Sequence, residues 1–296
     1  HLHQSVETAD LRSAMEQVSG QSLRGYFRRW LRQPGMPRVV AKIRWDRRAK
    51  RARVKLTQKQ KVDGQRPYFS LPVEIAYAID GKVKRAVVQL NSKHATWSVT
   101  LPHRPDWLMV DPRMKLLAGW KLKADVELMR GAATSAPHPD ARLRAVRALR
   151  GSVGRDPVIQ TLLSVVKTDA SRHVRAAAAR LLGAAPRESV RGGLQSALRQ
   201  DKEAVVRRTA AAALGQLQDR ASLKLLNKSA RKDGSNAVRE ASLRAIFAID
   251  RNRTRPLLLE AVRWKSWRDR LANSALMLLA RLADPRDLSL IWAASE

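Results

Sequence analysis

A repeat constrains this chain more than any other feature. Asp169, Val174, Arg175 and Gly183 align in register with Asp201, Val206, Arg207 and Gly215. A matching pair occurs upstream as Leu143-Arg144 and downstream as Val238-Arg239. The spacings are 31, 32 and 32 residues, and a weaker copy lies in residues 269–282. A period near 32 accommodates two helices, and one such unit cannot bury its own apolar face. Neighbouring units must therefore stack into a helical solenoid. Amphipathic partner segments at Asp156–Val166, Val190–Leu198, Ala221–Ala230 and Thr254–Trp264 alternate with these copies. About five helix pairs are expected in residues 115–296, with the chain turning helical from about Lys121.

The preceding region has a different period. Val39, Ala41, Ile43 and Trp45 alternate with Val40, Lys42 and Arg44, and Ala52, Val54 and Leu56 alternate with Arg51, Arg53, Lys55 and Thr57. This two-residue period marks half-buried strands. A third strand carries Phe69, Leu71, Val73, Ile75, Tyr77 and Ile79. Asp80-Gly81 supplies a tight hairpin turn into Val83–Leu90, and shorter strands follow at Ala95–Leu101 and Asp106–Val110. Six strands joined mostly by short turns predict a small antiparallel β-sandwich over residues 36–114.

Residues 1–35 read as two helices. One carries Leu11, Ala14, Met15 and Val18 on a single face, with Thr8 as its cap and Gly20 as its stop. The second is capped by Ser22, carries Leu23, Tyr26, Phe27, Trp30 and Leu31, and ends at Pro34-Gly35. So short a hairpin cannot form a core alone. Its partner is expected in the following sheet or upstream of His1. The fold class is thus α+β multidomain: a short helical segment, a small sandwich, then an all-α solenoid.

The helical repeats resemble HEAT-like repeats, through the Asp and Val-Arg positions above. The order of segments resembles something more specific. Thr8, Asp10, Leu11, Ala14, Met15, Glu16, Ser19, Gly20, Leu23, Tyr26, Phe27, Trp30, Leu31, Pro34, Gly35 and Pro37 form a string similar to the end of the catalytic domain in the aminopeptidase N-like zinc metallopeptidases (gluzincins). Residues from Arg38 to Asp111-Pro112, including Phe69, Leu71, Pro72 and Val73, are similar to that family's sandwich. The resemblance implies a non-catalytic C-terminal region of a zinc-dependent aminopeptidase, with the solenoid capping the peptide cleft of the parent enzyme. It also implies a catalytic domain upstream of His1, peptide substrates and a zinc cofactor held by that parent.

The family's chemistry needs His-Glu-x-x-His, in which two His bind zinc and the Glu activates the metal-bound water. The six histidines are His1, His3, His94, His103, His138 and His173, and none precedes Glu. Gly-x-Met-Glu-Asn is also absent. No catalytic, cofactor-binding or metal residue is assigned, and the chain alone is expected to be inactive. His1 and His3 stand two apart and would face different ways on a helix. With no cysteine, disulfides and thiolate metal sites are excluded. The longest apolar runs have about ten residues, too short for a membrane helix. The compartment is left open.

Two alternatives remain: a non-enzymatic repeat scaffold for protein–protein interaction, and a basic solenoid binding nucleic acid. The net charge of +32 suits an anionic partner, yet it divides evenly between residues 1–135 and 136–296. The densest basic stretch runs from Arg38 to Lys61, where Asp46 is the only acid up to Lys61 and a solvated outer sheet face is the simplest reading. Arg144, Arg175, Arg207 and Arg239 are expected to bond between adjacent repeats, the alternative being an arginine row open to an anion. Trp264 and Trp267 are expected in the core, or else stacking on bases, and Trp30 and Trp45 at domain junctions. Gly192-Gly193 reads as a helix end. Asn227 and Asn252 each head a glycosylation tripeptide, a pattern common by chance.

Overall fold

The computed structural model describes residues 5–63 and 67–293. His1 and His3 lie outside the described residues. The chain divides into two compact units, His1–Asp125 and Val126–Glu296.

The first unit opens with helix α1, Thr8–Ser19. Its cap is Glu7 rather than Thr8, because Asp10 turns back to accept the Glu7 amide at 2.9 Å. Gly20 ends the helix at φ 65°, the left-handed geometry that glycine adopts without strain. The second helix, α2 at Arg24–Phe27, is capped by Leu23 rather than Ser22 and continues as a π-turn over Arg28–Arg32. Glu16 sets this start by accepting the Leu23 amide at 2.6 Å. The two helices differ in what they bury. Phe27 is buried, and Trp30 stacks 5.7 Å from Phe69 of the sandwich. Gln33 Nε2 donates to the Pro67 carbonyl at 2.8 Å. Nothing on α1 is buried, and Leu11, Met15 and Val18 stay 55%, 44% and 91% exposed.

The sandwich contains β1 (Arg38–Asp46), β2 (Arg51–Gln58), β3 (Leu71–Ile79), β4 (Lys82–Leu90), β5 (His94–Thr100), β6 (Trp107–Val110) and β7 (Gly119–Ala124). One sheet has the order β5-β2-β1-β7 and the other β4-β3-β6. The inward alternation is as expected: Val39, Ala41, Ile43, Ala52, Val54 and Leu56 are buried on one sheet, and Leu71, Val73 and Ile75 on the other. Asp80 and Gly81 both take positive φ, 52° and 72°, at the β3–β4 turn, as a two-residue hairpin demands. Gln58 is buried and ties strand ends together. Its Nε2 donates to the Phe69 carbonyl at 2.7 Å and its Oε1 accepts the Phe69 amide at 3.1 Å.

Strand β7 corrects two expectations. Residues near Lys121 are not helical but extend along β1, with Val40 opposite Lys121 and Lys42 opposite Lys123. This pairing is parallel, so the sandwich is antiparallel except at one edge. The expected boundary at 114/115 therefore falls inside the first unit. Asp125 ends the strand by accepting from the Trp45 amide and from Arg44, each at 2.6 Å.

The second unit is a stack of helix pairs: α3 (Val126–Ser135) with α4 (Pro139–Ala148), α5 (Asp156–Thr168) with α6 (Arg172–Leu182), α7 (Arg187–Gln200) with α8 (Ala204–Gln216), α9 (Leu223–Lys232) with α10 (Asn236–Ile249), and α11 (Arg255–Val262) with α12 (Arg270–Leu282). A short α13, Leu288–Ala293, follows. The second helices of successive pairs pack on one another because their facing sides are alanine and glycine. A Cβ placed on Gly215 would stand 2.7 Å from the Ala245 Cα. The α8–α10 approach thus depends on glycine at that position. Gly192 and Gly193 lie inside α7, not at its end. There Gly193 makes room for Leu163, whose Cδ2 would be 2.4 Å from an added Cβ.

Candidate functional site: arginine ladder and solenoid groove

Three successive junctions between repeats are each spanned by one arginine and one aspartate. Arg175 Nε and Nη2 donate to Asp201 at 2.8 and 3.0 Å, while its Nη1 donates to the Asp169 and Ala170 carbonyls. Arg207 repeats this with Asp233 at 2.8 and 2.9 Å, and its Nη1 reaches the Asp201 and Lys202 carbonyls. The same aspartates shape the loops they stand in. Asp169, Asp201 and Asp233 each accept the amide two residues on, from Ser171, Glu203 and Ser235. A planar guanidinium fits a carboxylate through two parallel hydrogen bonds and still has donors for the orphan carbonyls. This explains why arginine and aspartate recur at the repeat period. Burial pushes the Asp201 and Asp233 carboxyls up, but hydrogen bonds from Arg175 and Arg207 and from the loop amides outweigh it and hold both below the usual range.

The ladder corrects one sequence assignment. Its first member is Arg142, not Arg144. Arg142 meets Asp169 at 2.7 and 3.1 Å and donates to the Ala136 and Pro137 carbonyls, the same pattern as Arg175. Arg144, two residues on, points to a different side of α4 and is buried. The ladder also stops. Asp169, Asp201 and Asp233 are 32 apart, and the next such position holds Lys265. Arg239 accordingly has its guanidinium over the Trp264 ring at 4.6 Å and donates to the Ala230 carbonyl at 2.9 Å. Burial pulls the Arg239 guanidinium below its ordinary range. Trp264 is therefore a cation–π platform, half-buried as a packing role requires. Trp267 is not core: it is 72% exposed, with Arg268 stacked on it.

A groove runs along the second helices. Two hollows of about 420 and 510 Å³ adjoin, and Arg180 lines both. The floor is small: Ala176 on α6, Ala212 on α8 and Ala241 on α10. The rim is basic, with Arg147, Arg180, Arg208, Arg244 and Arg270. Sequence reasoning missed these arginines. They are spread over helix positions that share no short motif, and only the stacking brings them to one groove.

The remaining expected residues are not drawn into a site. The sandwich's basic run does lie on an outer face: Lys42 stands opposite Lys55, and Arg44 opposite Arg53, all four exposed. His94 is held below its ordinary range by burial and by Lys55, Lys93 and Lys59. Trp30 and Trp45 are half-buried, Trp30 against Phe69 and Trp45 beside Lys50 and His103. Asn227 is held within α9, donating to the Leu223 carbonyl at 2.9 Å. Among the described residues no group of three or more His, Asp or Glu could hold a metal ion, and no helix is long and apolar enough to cross a membrane.

The helix pairs joined by this ladder belong to a known class of repeat. Residues 192–280 match the family of HEAT repeats. Among solved structures, the chain is similar to aminopeptidase A of Legionella pneumophila in complex with aspartic acid, with a TM-score of 0.54 at 12% identity over 93% of this chain and 35% of that one. It spans about a third of that enzyme's length. A complex of CpcE and CpcF of phycocyanin lyase from Nostoc is similar at a TM-score of 0.44 and 23% identity, over 57% of this chain and 69% of that one. No curated protein sequence matches. The likeness to the aminopeptidase is one of fold.

Proposed function

We propose that this chain is the non-catalytic C-terminal region of an aminopeptidase N-like zinc metallopeptidase, in which the repeat unit covers the peptide cleft of the parent enzyme. One observation carries the reading: nearly the whole chain, helices, sandwich and solenoid in that order, follows the fold of an aminopeptidase across about a third of its length. Two further features support it. The helical string of residues 8–37 resembles the close of that family's catalytic domain. The apolar face of α1, with Leu11, Met15 and Val18 uncovered, suits a segment that continues another domain's core. In this reading the zinc and the hydrolytic step belong to the parent's catalytic domain.

The test is hydrolysis of aminoacyl-anilides by two proteins. The chain alone should be inactive with or without zinc. The chain joined to its upstream coding sequence should hydrolyse them and lose activity to a chelator. Turnover by the chain alone would overturn the assignment of the chemistry to the parent. An inert longer protein would favour the second reading, a repeat scaffold for protein partners. That reading has its own support in the solenoid groove, which is open, continuous over several repeats and lined by cations.

A further inference from the structure

The arginines of the solenoid fall into two groups. Arg142, Arg175 and Arg207 are held by repeat aspartates. Arg147, Arg150, Arg180 and Arg208 are exposed at the groove and make no hydrogen bond or ion pair within the described residues. Unpaired guanidiniums along two adjoining hollows repel one another.

The groove itself shows what satisfies them. Glu240 lies in its wall and is gripped from both sides, by Arg270 Nε at 2.6 Å and by Arg244 Nη2 at 3.1 Å. One repeat earlier the position of Glu240 is occupied by Arg208, which shares a hollow with Glu240, while the adjoining hollow is lined by Arg147, Arg150 and Arg180 and by no carboxylate. We infer that this groove binds an extended acidic segment of a protein partner, whose carboxylates take the place beside Arg147, Arg180 and Arg208 that Glu240 holds beside Arg244 and Arg270.

The geometry sets a spacing. Packed helices stand about 8–10 Å apart, so arginines on successive second helices, such as Arg147 and Arg180, advance by about that much. An extended chain covers roughly 10 Å in three residues. An acidic residue at every third position therefore meets one repeat at a time. The alanine floor leaves room for a main chain, and among the described residues no Phe, Tyr or Trp lines either hollow to stack on a base. The inference deepens the interaction reading of the groove, and it rests on the repeats alone, whatever enzyme precedes them.

The test uses the full chain and fluorescein-labelled peptides, read by anisotropy. One peptide carries Glu at every third position between Ser and Thr. A second has the same composition with its Glu residues in one block. The first should bind more tightly. The triple substitution Arg147→Ala, Arg180→Ala, Arg208→Ala should weaken it at least about tenfold, and Arg180→Gln alone by a smaller factor. Lys55→Ala on the sandwich should leave it unchanged. Equal binding of the two peptides, or binding that survives the triple substitution, overturns the inference. So does a DNA duplex that outcompetes the spaced peptide through the same arginines. No peptidase substrate is present, so the result is independent of the test of the parent enzyme.

Discussion

Arg175 and Asp201 meet through two parallel hydrogen bonds, 2.8 and 3.0 Å long, and both side chains are more than nine-tenths buried. Breaking one side of such a pair leaves a charge in a poorly solvated place. Arg175→Ala is expected to cost about 3–5 kcal/mol, read as a lower melting temperature. Replacing both partners together by apolar residues should cost less than either single change, which a double-mutant cycle measures. The nearby Arg172–Glu203 pair is at 3.4 Å and far more exposed. Its removal should cost under about 1 kcal/mol.

Acid should open the solenoid. Asp201 and Asp233 have folded-state carboxyls held below their ordinary range. Their contribution is complete above the unfolded value of about 3.9 and is lost as pH falls through the lower folded value. The melting temperature of the repeats should therefore drop below about pH 4. Asp201→Asn with Asp233→Asn should flatten that dependence. An unaltered acid profile in the double variant would show that other carboxylates govern it.

Two glycines should respond in opposite directions. At Gly215 an added methyl meets the Ala245 backbone at 2.7 Å. Gly215→Ala should destabilise by about 1–3 kcal/mol as α8 and α10 are forced apart. At Gly192 nothing lies within 4 Å of an added Cβ. Gly192→Ala should stabilise α7 by about 0.5–1 kcal/mol. Chemical denaturation of the two variants distinguishes them.

The tryptophans form a similar contrast. Trp264→Ala removes the platform under the Arg239 guanidinium, 4.6 Å away, and should cost about 3 kcal/mol. Trp267→Ala, at a side chain 72% exposed, should cost less than about 1 kcal/mol. Equal losses would mean that Trp264 contributes nothing beyond its exposed area.

The α1 face supplies a test of context. Leu11→Glu with Met15→Lys alters residues already in contact with solvent, so this chain's melting temperature should scarcely move. In the longer protein proposed above the same face is covered. There the two charges should destabilise by several kcal/mol, about 1.5–3 per buried apolar side chain lost.

Much of this architecture is legible in the sequence because it is periodic. The inward residues of β1 to β3 follow from alternation, the β3–β4 turn from Asp80-Gly81, and the helix pairs from the recurrence of Asp169, Asp201 and Asp233. Strand β7 was hidden because Gly119–Ala124 is short and is held by pairing with the distant β1, which local pattern does not report. The groove was hidden for the same reason, since Arg147, Arg180 and Arg208 share a line only after the helices stack.

Two periods are written along the chain, and with them a sheet unit followed by a solenoid. Both periods express local chemistry: two residues per pleat, and about 32 per helix pair, with an arginine and an aspartate recurring through the central pairs. Which arginine of a repeat faces its aspartate is set by helix packing. A shift of two positions turns a side chain to another side of its helix, so Arg142 clamps Asp169 while Arg144 is buried elsewhere. Helix packing also sets which cations remain unpaired, because pairing depends on the distance between helices, and spacing along the chain does not encode that distance.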